Sequence, residues 1–397
     1  MSRPDPETLS RPDPETSMTP RPLSRPDPMT DDEPEHLKRI QIRCRRALRR
    51  MNFVISIDTE EDDWGCFRRS GHGCVNIERI PSVQEIFDRY GARPTYLITY
   101  QVATDRDSVA ILKKILDSGR CEIGSHCHPW NTPPFEEEPC EYSSMLCNLP
   151  EDLQYRKLET LHEAIRASFG VEPTSFRAGR WGFSETVARN LLKLGYRVDT
   201  SVSPFCDWSE YCGPDFTDEP AGPYFIRCTA GGDRETGVAL VEIPPTIGFF
   251  QKNFALCRRV ASIIKSGLFQ GLHVPGLLKR MNLLNLACLS PEQSSGRDML
   301  RLSRSFMRNG YGYLNMSFHS TSLLPGRSPF VPDESAYRRL LSGIDCLLDY
   351  ASEHDMNFLC LSEAGAAFRE AGANAKMRAA PAAEAQASRG DACGEPF

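Results

Sequence analysis

Along the middle of this chain, short apolar runs alternate with stretches in which apolar residues return every three or four positions. The runs predict strands at 53–57, 95–99, 121–125, 174–177, 196–199, 238–243, 313–318 and 357–361. Several of the stretches between them have recognisable helix ends. Pro150, Glu151 and Asp152 open one helix with acid in its first turn, and Gly170 stops it. Ser184 caps a second that Gly195 ends, and Pro332-Asp333-Glu334 opens a third running to about Ala351. Strands that alternate with helices imply parallel pairing through βαβ units. Seven or eight such units favour an α/β barrel over an open sheet. Residues 250–310 break the rhythm and predict a helical, basic insertion.

The ends of the chain behave differently. Residues 2–30 carry SRPDPET twice and SRPDPMT once, a proline density that forbids helix and sheet. HLKRIQIRCRRALRR follows, with seven Lys or Arg in fifteen residues. It reads as a solvated arm, which leaves contact with a membrane surface open. The expected organisation is therefore a disordered and basic arm at 1–50, a barrel at 51–370 holding the 250–310 insertion, and a disordered tail at 371–397. A net charge of −6 over 397 residues gives no bulk signal for nucleic acid. The 15 cysteines form no CxxC pair, and no secretion pattern opens the chain, so reduced thiols and a cytoplasmic location are expected. No run is long and apolar enough for a transmembrane helix.

Chemistry in a βα barrel sits at the C-terminal ends of its strands. SIDTEEDDW follows the first predicted strand and places five acids in nine residues. Such carboxylates repel one another unless a positive centre sits among them. After the third strand comes GSHCHPW, in which His126 and His128, two apart on extended chain, point the same way and can reach one metal ion. Two histidines and a carboxylate make a three-ligand site with room for water, and a second carboxylate is then free to take the water's proton. Arg177 and Arg180 follow the fourth strand, and His319 ends the seventh. Trp64, Trp130, Trp181 and Trp208 each lie near one of these groups; they either offer faces on which sugars stack or fill the core. Cys127 should point away from the metal as a small buried residue. Asp199 reads as a partner of an arginine or a turn residue, and Asp207 as a loop residue.

The stretches FVISIDTEEDDWG, EIGSHCHPWNTPP, SFRAGRWGFS and LNMSFHSTSLLPGRSPF, in this order, resemble the polysaccharide deacetylase superfamily (carbohydrate esterase family 4, NodB-like), and within it a WalW-like subgroup. The resemblance implies a distorted barrel of seven or eight strands and metal-dependent removal of an acyl group, usually acetyl from an N-acetylated sugar. It implies Asp58 as general base, Glu60, His126 and His128 as ligands of a divalent metal (zinc is expected), Arg177 or Arg180 as the arginine that orients the base, and His319 as general acid, its pKa near or above the working pH. Trp64, Trp130 and Trp181 are the expected substrate contacts, and an N-acetylated sugar or oligosaccharide the expected partner. The chain departs from the family pattern in three ways. Its acids are spaced Asp58-x-Glu60, with Glu61, Asp62 and Asp63 as competing ligands. Its histidines are two apart where most members have four. RAGRWG replaces an Arg-Pro-Pro-Tyr-Gly type of motif, which leaves both arginines open. Two rival readings stand beside this one: an amidohydrolase-type metal hydrolase, which typically carries HxH on its first strand, and a metal-free, glycan-binding barrel. Removal of residues 1–50 is expected to leave folding and activity unchanged, checked by solubility and turnover of the shortened chain.

Overall fold

The first strand, β1 (Asn52–Thr59), is buried along its whole length, as a central strand covered on both faces must be. The computed structural model describes residues 50–62, 65–228, 239–265 and 285–379; residues 1–49 and 380–397 lie outside them, and residues 371–379, expected in a disordered tail, instead continue the last helix. The other strands are β2 (Thr95–Ile98), β3 (Glu122–Cys127), β4 (Ser175–Ala178), β5 (Val198–Asp199), β6 (Tyr224–Ile226), β7 (Leu240–Glu242), β8 (Ile247–Phe249), β9 (Leu286–Cys288), β10 (Tyr313–His319) and β11 (Asn357–Leu359). The sheet runs in the order β10-β1-β2-β3-β4-β5-β7-β6, and β11 also pairs with β1. Every pairing in it is parallel except β6 with β7, so eight parallel strands curl into a barrel-like layer, as expected. The edges meet through the segment after β7. Thr246 N–H donates to Asn315 O (3.0 Å), and Asn315 Nδ2 donates to Ile243 O (3.2 Å).

The α-helices are α1 (Ile80–Arg89), α2 (Tyr100–Thr104), α3 (Arg106–Asp117), α4 (Glu151–Phe169), α5 (Glu185–Lys193), α6 (Phe254–Lys265), α7 (Gly296–Arg308), α8 (Glu334–Glu353) and α9 (Leu361–Ala379), with short 3-10 turns between some elements. The sequence-read ends are present. Gly170 ends α4 at φ 73°, the left-handed geometry glycine tolerates best, and Ser184 accepts from Val187 N–H at the start of α5.

Alternation along the strands sorts side chains into two compartments. Phe53, Ile55 and Ile57 of β1, with Leu314, Met316 and Phe318 of β10, join the core under the helices. Val54, Leu97, Val198, Val241 and Tyr313 instead form a second apolar cluster with Leu361 and Ala364 of α9. This cluster is the floor of the barrel. Above it the interior turns polar. Ser56 Oγ donates to Asn315 Oδ1 (2.8 Å), and Asn315 Nδ2 donates to Thr200 Oγ1 (3.0 Å). The next inward positions, Asp58 and His319, are register partners at the rim.

The insertion differs from the expected all-helical segment. It contains a strand, β9, that pairs antiparallel with β8 just before it, and α7 belongs to the outer layer against α8. Three-residue strands such as β6, β8 and β9 carry too little periodicity to be read against their surroundings. Residues 266–284 lie outside the described residues. Replacing Asn315 with Leu is expected to lower unfolding free energy by about 2–4 kcal/mol, because the partners around it lose a buried hydrogen bond; urea unfolding measures the loss.

Candidate metal and acid–base site

Asp58 ends the inward face of β1, and its ion-pair partner from β4 is a buried arginine. Arg177 of β4 is 1% exposed. It donates from Nη1 to Asp58 Oδ1 (2.5 Å), from Nη2 to Ser56 Oγ (2.6 Å) and from Nε to Thr200 O (3.0 Å). Burial raises the Asp58 pKa, but Arg177, by charge and hydrogen bond, and the His319 charge outweigh it and hold the carboxyl below its ordinary value. Arg180 is elsewhere. Its guanidinium bonds Ser144 Oγ and Glu141 Oε1 and lies over the Phe67 ring. Of the two candidate arginines, Arg177 alone touches Asp58. Arg180 and Trp181 both have positive φ, 53° and 63°, a strained pair directly beyond β4.

Glu60, His126 and His128 form one buried group whose ligating atoms lie within 4.8 Å of one another. Hydrogen bonds set the tautomer of each ring. His126 Nδ1 faces the carbonyl of Arg177 (3.1 Å) and His128 Nδ1 faces Glu61 Oε1 (3.0 Å). Both partners can only accept, so both Nδ1 atoms carry the proton and both Nε2 atoms turn a lone pair inward. The two Nε2 atoms are 3.0 Å apart, and Glu60 Oε2 lies 3.3 Å from that of His128 and 3.9 Å from that of His126. Three lone pairs crowded together need a cation or a proton between them. Without a metal ion the proton goes to His128: burial opposes its charge, but Glu61 and Glu60 outweigh burial and raise its pKa to about 10. Burial, together with the neighbouring His128 and Arg177 charges, takes His126 down to about 3. The donor set thus fits a divalent cation.

The other acids of the cluster have separate tasks. Glu61 accepts from Asn131 Nδ2 (2.6 Å) and Thr99 Oγ1 (3.0 Å) besides His128, so it orients a ligand. Asp62 accepts from the N–H groups of Val75 and Asn76 (both 2.9 Å) and braces the following loop. Asp63 and Trp64 lie outside the described residues. Gly179 leaves room for the second histidine, since a Cβ there would stand 2.6 Å from His128 Cδ2. Cys127 is fully buried on the opposite side of β3. Asp199 accepts from Ser201 N and Oγ, and Ser201 Oγ accepts from Ala178 N–H. Asp207 accepts from Ser209 within its loop.

His319 Nε2 lies 3.6 Å from Asp58 Oδ2, while its Nδ1 meets Glu292 Oε2 at 3.0 Å. Glu292 also accepts from the His319 N–H (3.1 Å) and from Ser322 Oγ. Burial works against the imidazolium, but Glu292 outweighs it and raises the pKa to about 9. Sequence reasoning missed Glu292. The signal available was its rarity, since Glu292 and Asp298 are the only acids between residues 250 and 310. A cavity of about 390 Å³ opens beside Asp58 and His319, lined by Trp181, Trp208 and residues of the β9–α7 segment. Trp181 stacks on Trp208 at 6.4 Å. Trp130 has another place: it is buried and stacks on the His128 ring at 4.2 Å.

Two outcomes follow from these contacts. Arg177→Met strands a buried carboxylate and is expected to cost about 3–5 kcal/mol of stability, against little for Arg180→Met, by urea unfolding. The folded His319 pKa lies above the unfolded value. Its stabilisation is therefore complete below about pH 6.5 and is lost as pH rises through about 9. Glu292→Gln should flatten stability over that window, and NMR titration should show the His319 pKa falling.

Residues 75–198 match the family model for polysaccharide deacetylase. That segment holds His126, His128 and Arg177 but neither Asp58, Glu60 nor His319. Among curated proteins none matches the chain. Among solved structures, a Parabacteroides distasonis protein provisionally named a glycoside hydrolase/deacetylase aligns over 81% of this chain and 72% of its own, at 15% identity and a TM-score of 0.51. A Mycobacterium smegmatis protein provisionally named a polysaccharide deacetylase aligns over 81% of this chain and 91% of its own, at 17% identity and a TM-score of 0.43. A point mutant of the peptidoglycan deacetylase PdaC from Bacillus subtilis aligns over 84% and 96%, at 9% identity and a TM-score of 0.37. The chain thus resembles the polysaccharide deacetylases in sequence over residues 75–198, and shares the fold of the P. distasonis protein over most of its length.

Proposed function

We propose that this chain is a metal-dependent hydrolase that removes an N-acetyl group from a sugar or glycan precursor. One observation carries the reading. Three lone-pair donors, from Glu60, His126 and His128, converge beside a carboxylate paired with Arg177 and an imidazolium paired with Glu292. Glu60, His126 and His128 would hold a divalent cation, expected to be zinc, which when bound supplies Lewis-acid polarisation of the acyl carbonyl and acidifies a water molecule.

The chain's own residues do the rest. Asp58 stays ionised at neutral pH through Arg177 and, with Oδ2 turned to the cavity, takes the proton of the attacking water. His319 enters the reaction protonated and gives its Nε2 proton to the departing nitrogen. An amine leaves far more readily protonated than as an anion, so an acid charged in advance suits an amide better than an ester. Arg177 fixes the base from behind the cavity and Glu292 fixes the acid from the cavity wall. Trp181 and Trp208 offer the sugar an apolar wall, whereas Trp130 holds a ligand histidine. The family match over residues 75–198 supports the same substrate class.

Acetate release from N-acetylated chito-oligosaccharides and from O-acetylated xylan tests the reading. Release from the amide substrate is expected to be faster and to stop with a chelator. Asp58→Asn should lower turnover about 10²–10⁴-fold while the bound metal stays. No acetate from either substrate, with metal bound, would sink it. Because the proton on His128 occupies the ligand position, binding of Zn²⁺ near pH 8 should release about one proton. Calorimetry in buffers of different ionisation enthalpy measures this.

A further inference from the structure

Lys157, in the middle of α4, is wholly buried. Its Nζ donates to the carbonyl oxygens of Pro129 (2.9 Å), Thr132 (2.7 Å) and Pro134 (2.7 Å) and pairs with Glu137 Oε1 (2.9 Å). Burial lowers its pKa, and Glu137 opposes the shift. An ammonium so far from water is tolerated only where polar partners surround it. Here all four partners belong to one loop, which begins at the residue after His128. The chemistry described above makes no use of this cation.

The loop needs an outside donor. Pro129, Pro133 and Pro134 have no N–H, so its carbonyls outnumber its own donors. The loop also carries two side chains that act on the His128 ring beside Glu61. Trp130 stacks on the imidazole, and Asn131 donates to Glu61 Oε1, the same oxygen that receives His128 Nδ1–H. Phe67 packs on the Trp130 ring (5.2 Å), and Arg69 donates to Glu137 O (2.5 Å), so the loop is held on its other side as well.

We propose that Lys157 is a positioning residue for the metal site: it clamps loop 129–137 and, through Trp130 and Asn131, keeps His128 Nε2 aimed at Glu60 and His126. The inference rests on the metal-site reading above. A purely structural lysine would stabilise the chain without changing how tightly it holds a cation.

Calorimetric titration of the full chain with Co²⁺ separates the two. Lys157→Met is expected to weaken Co²⁺ binding about 10–100-fold, the range for partners behind a ligand, with kcat largely kept once Co²⁺ saturates. Leu161→Ala, a buried apolar truncation on the same helix, should lower stability and leave Co²⁺ affinity unchanged. The double variant Lys157→Met with Asn131→Ala should lose less than the product of the single losses, because both act on His128 through one loop. Where Lys157→Met does not fold, Lys157→Arg decides. It keeps the charge but spreads its donors over a plane, so binding should still weaken about tenfold. A folded Lys157 variant with wild-type Co²⁺ affinity, or losses that multiply independently, would overturn the proposal. A wild-type chain that binds no Co²⁺ would instead overturn the metal site itself, and this inference with it.

Discussion

The burial of Arg177 organises the upper half of this barrel. Its guanidinium reaches Asp58 and Ser56 on β1 and the carbonyl of Thr200 beyond β5. A charge with this little access to water persists only when its donors find acceptors and its charge finds a counter-charge. Meeting that requirement draws three strands into one register. It also explains the polar layer between an apolar floor and a charged rim: Ser56, Thr200 and Asn315 give the arginine and one another partners that hydrocarbon side chains lack.

The rim is a balance of opposed charges. Asp58, Glu60 and Glu61 stand close together with little water, and burial raises the Glu60 pKa. The same crowding makes the site useful. Glu61 is occupied by His128, Asn131 and Thr99 and is held at about 2, which leaves Glu60 as the acid that faces both inward nitrogens. The paired histidines share one proton where a cation fits better. The donor set that would hold a divalent cation is thus already assembled in the fold.

Two outer braces hold this arrangement. Glu292 comes from the segment between β9 and α7, far from His319 in sequence, yet it takes both the ring and the backbone N–H of that residue. The loop after His128 is held through Lys157. Glu292 braces from the cavity wall, Lys157 from behind the loop. The cavity wall is aromatic and polar; much of it comes from the insertion, while Trp181 and Trp208 follow β4 and β5 and Asp58 and His319 reach it from β1 and β10.

Much of this was legible in the linear sequence, because it follows from local rules. Eight parallel strands were visible as apolar runs, the helix ends as Ser184 and Gly170, and the HxH pair as two side chains on one face of a strand. Alternation also told that Cys127 must turn away from His126 and His128. Position in space was not legible. Arg177 and Arg180 are three residues apart and chemically equal, and only the left-handed turn at Arg180 separates one that enters the barrel from one that reaches Glu141. Glu60, Glu61 and Asp62 are neighbours in the chain, but their partners come from β3, the loop after it and the loop at Val75. Trp130 looks like a sugar platform until the fold closes over it. Periodicity is a property of neighbouring residues and can be read along a chain. The choice among chemically equal side chains depends on contacts between residues distant in the chain, such as Arg177 with Asp58, and those exist only once the barrel has closed.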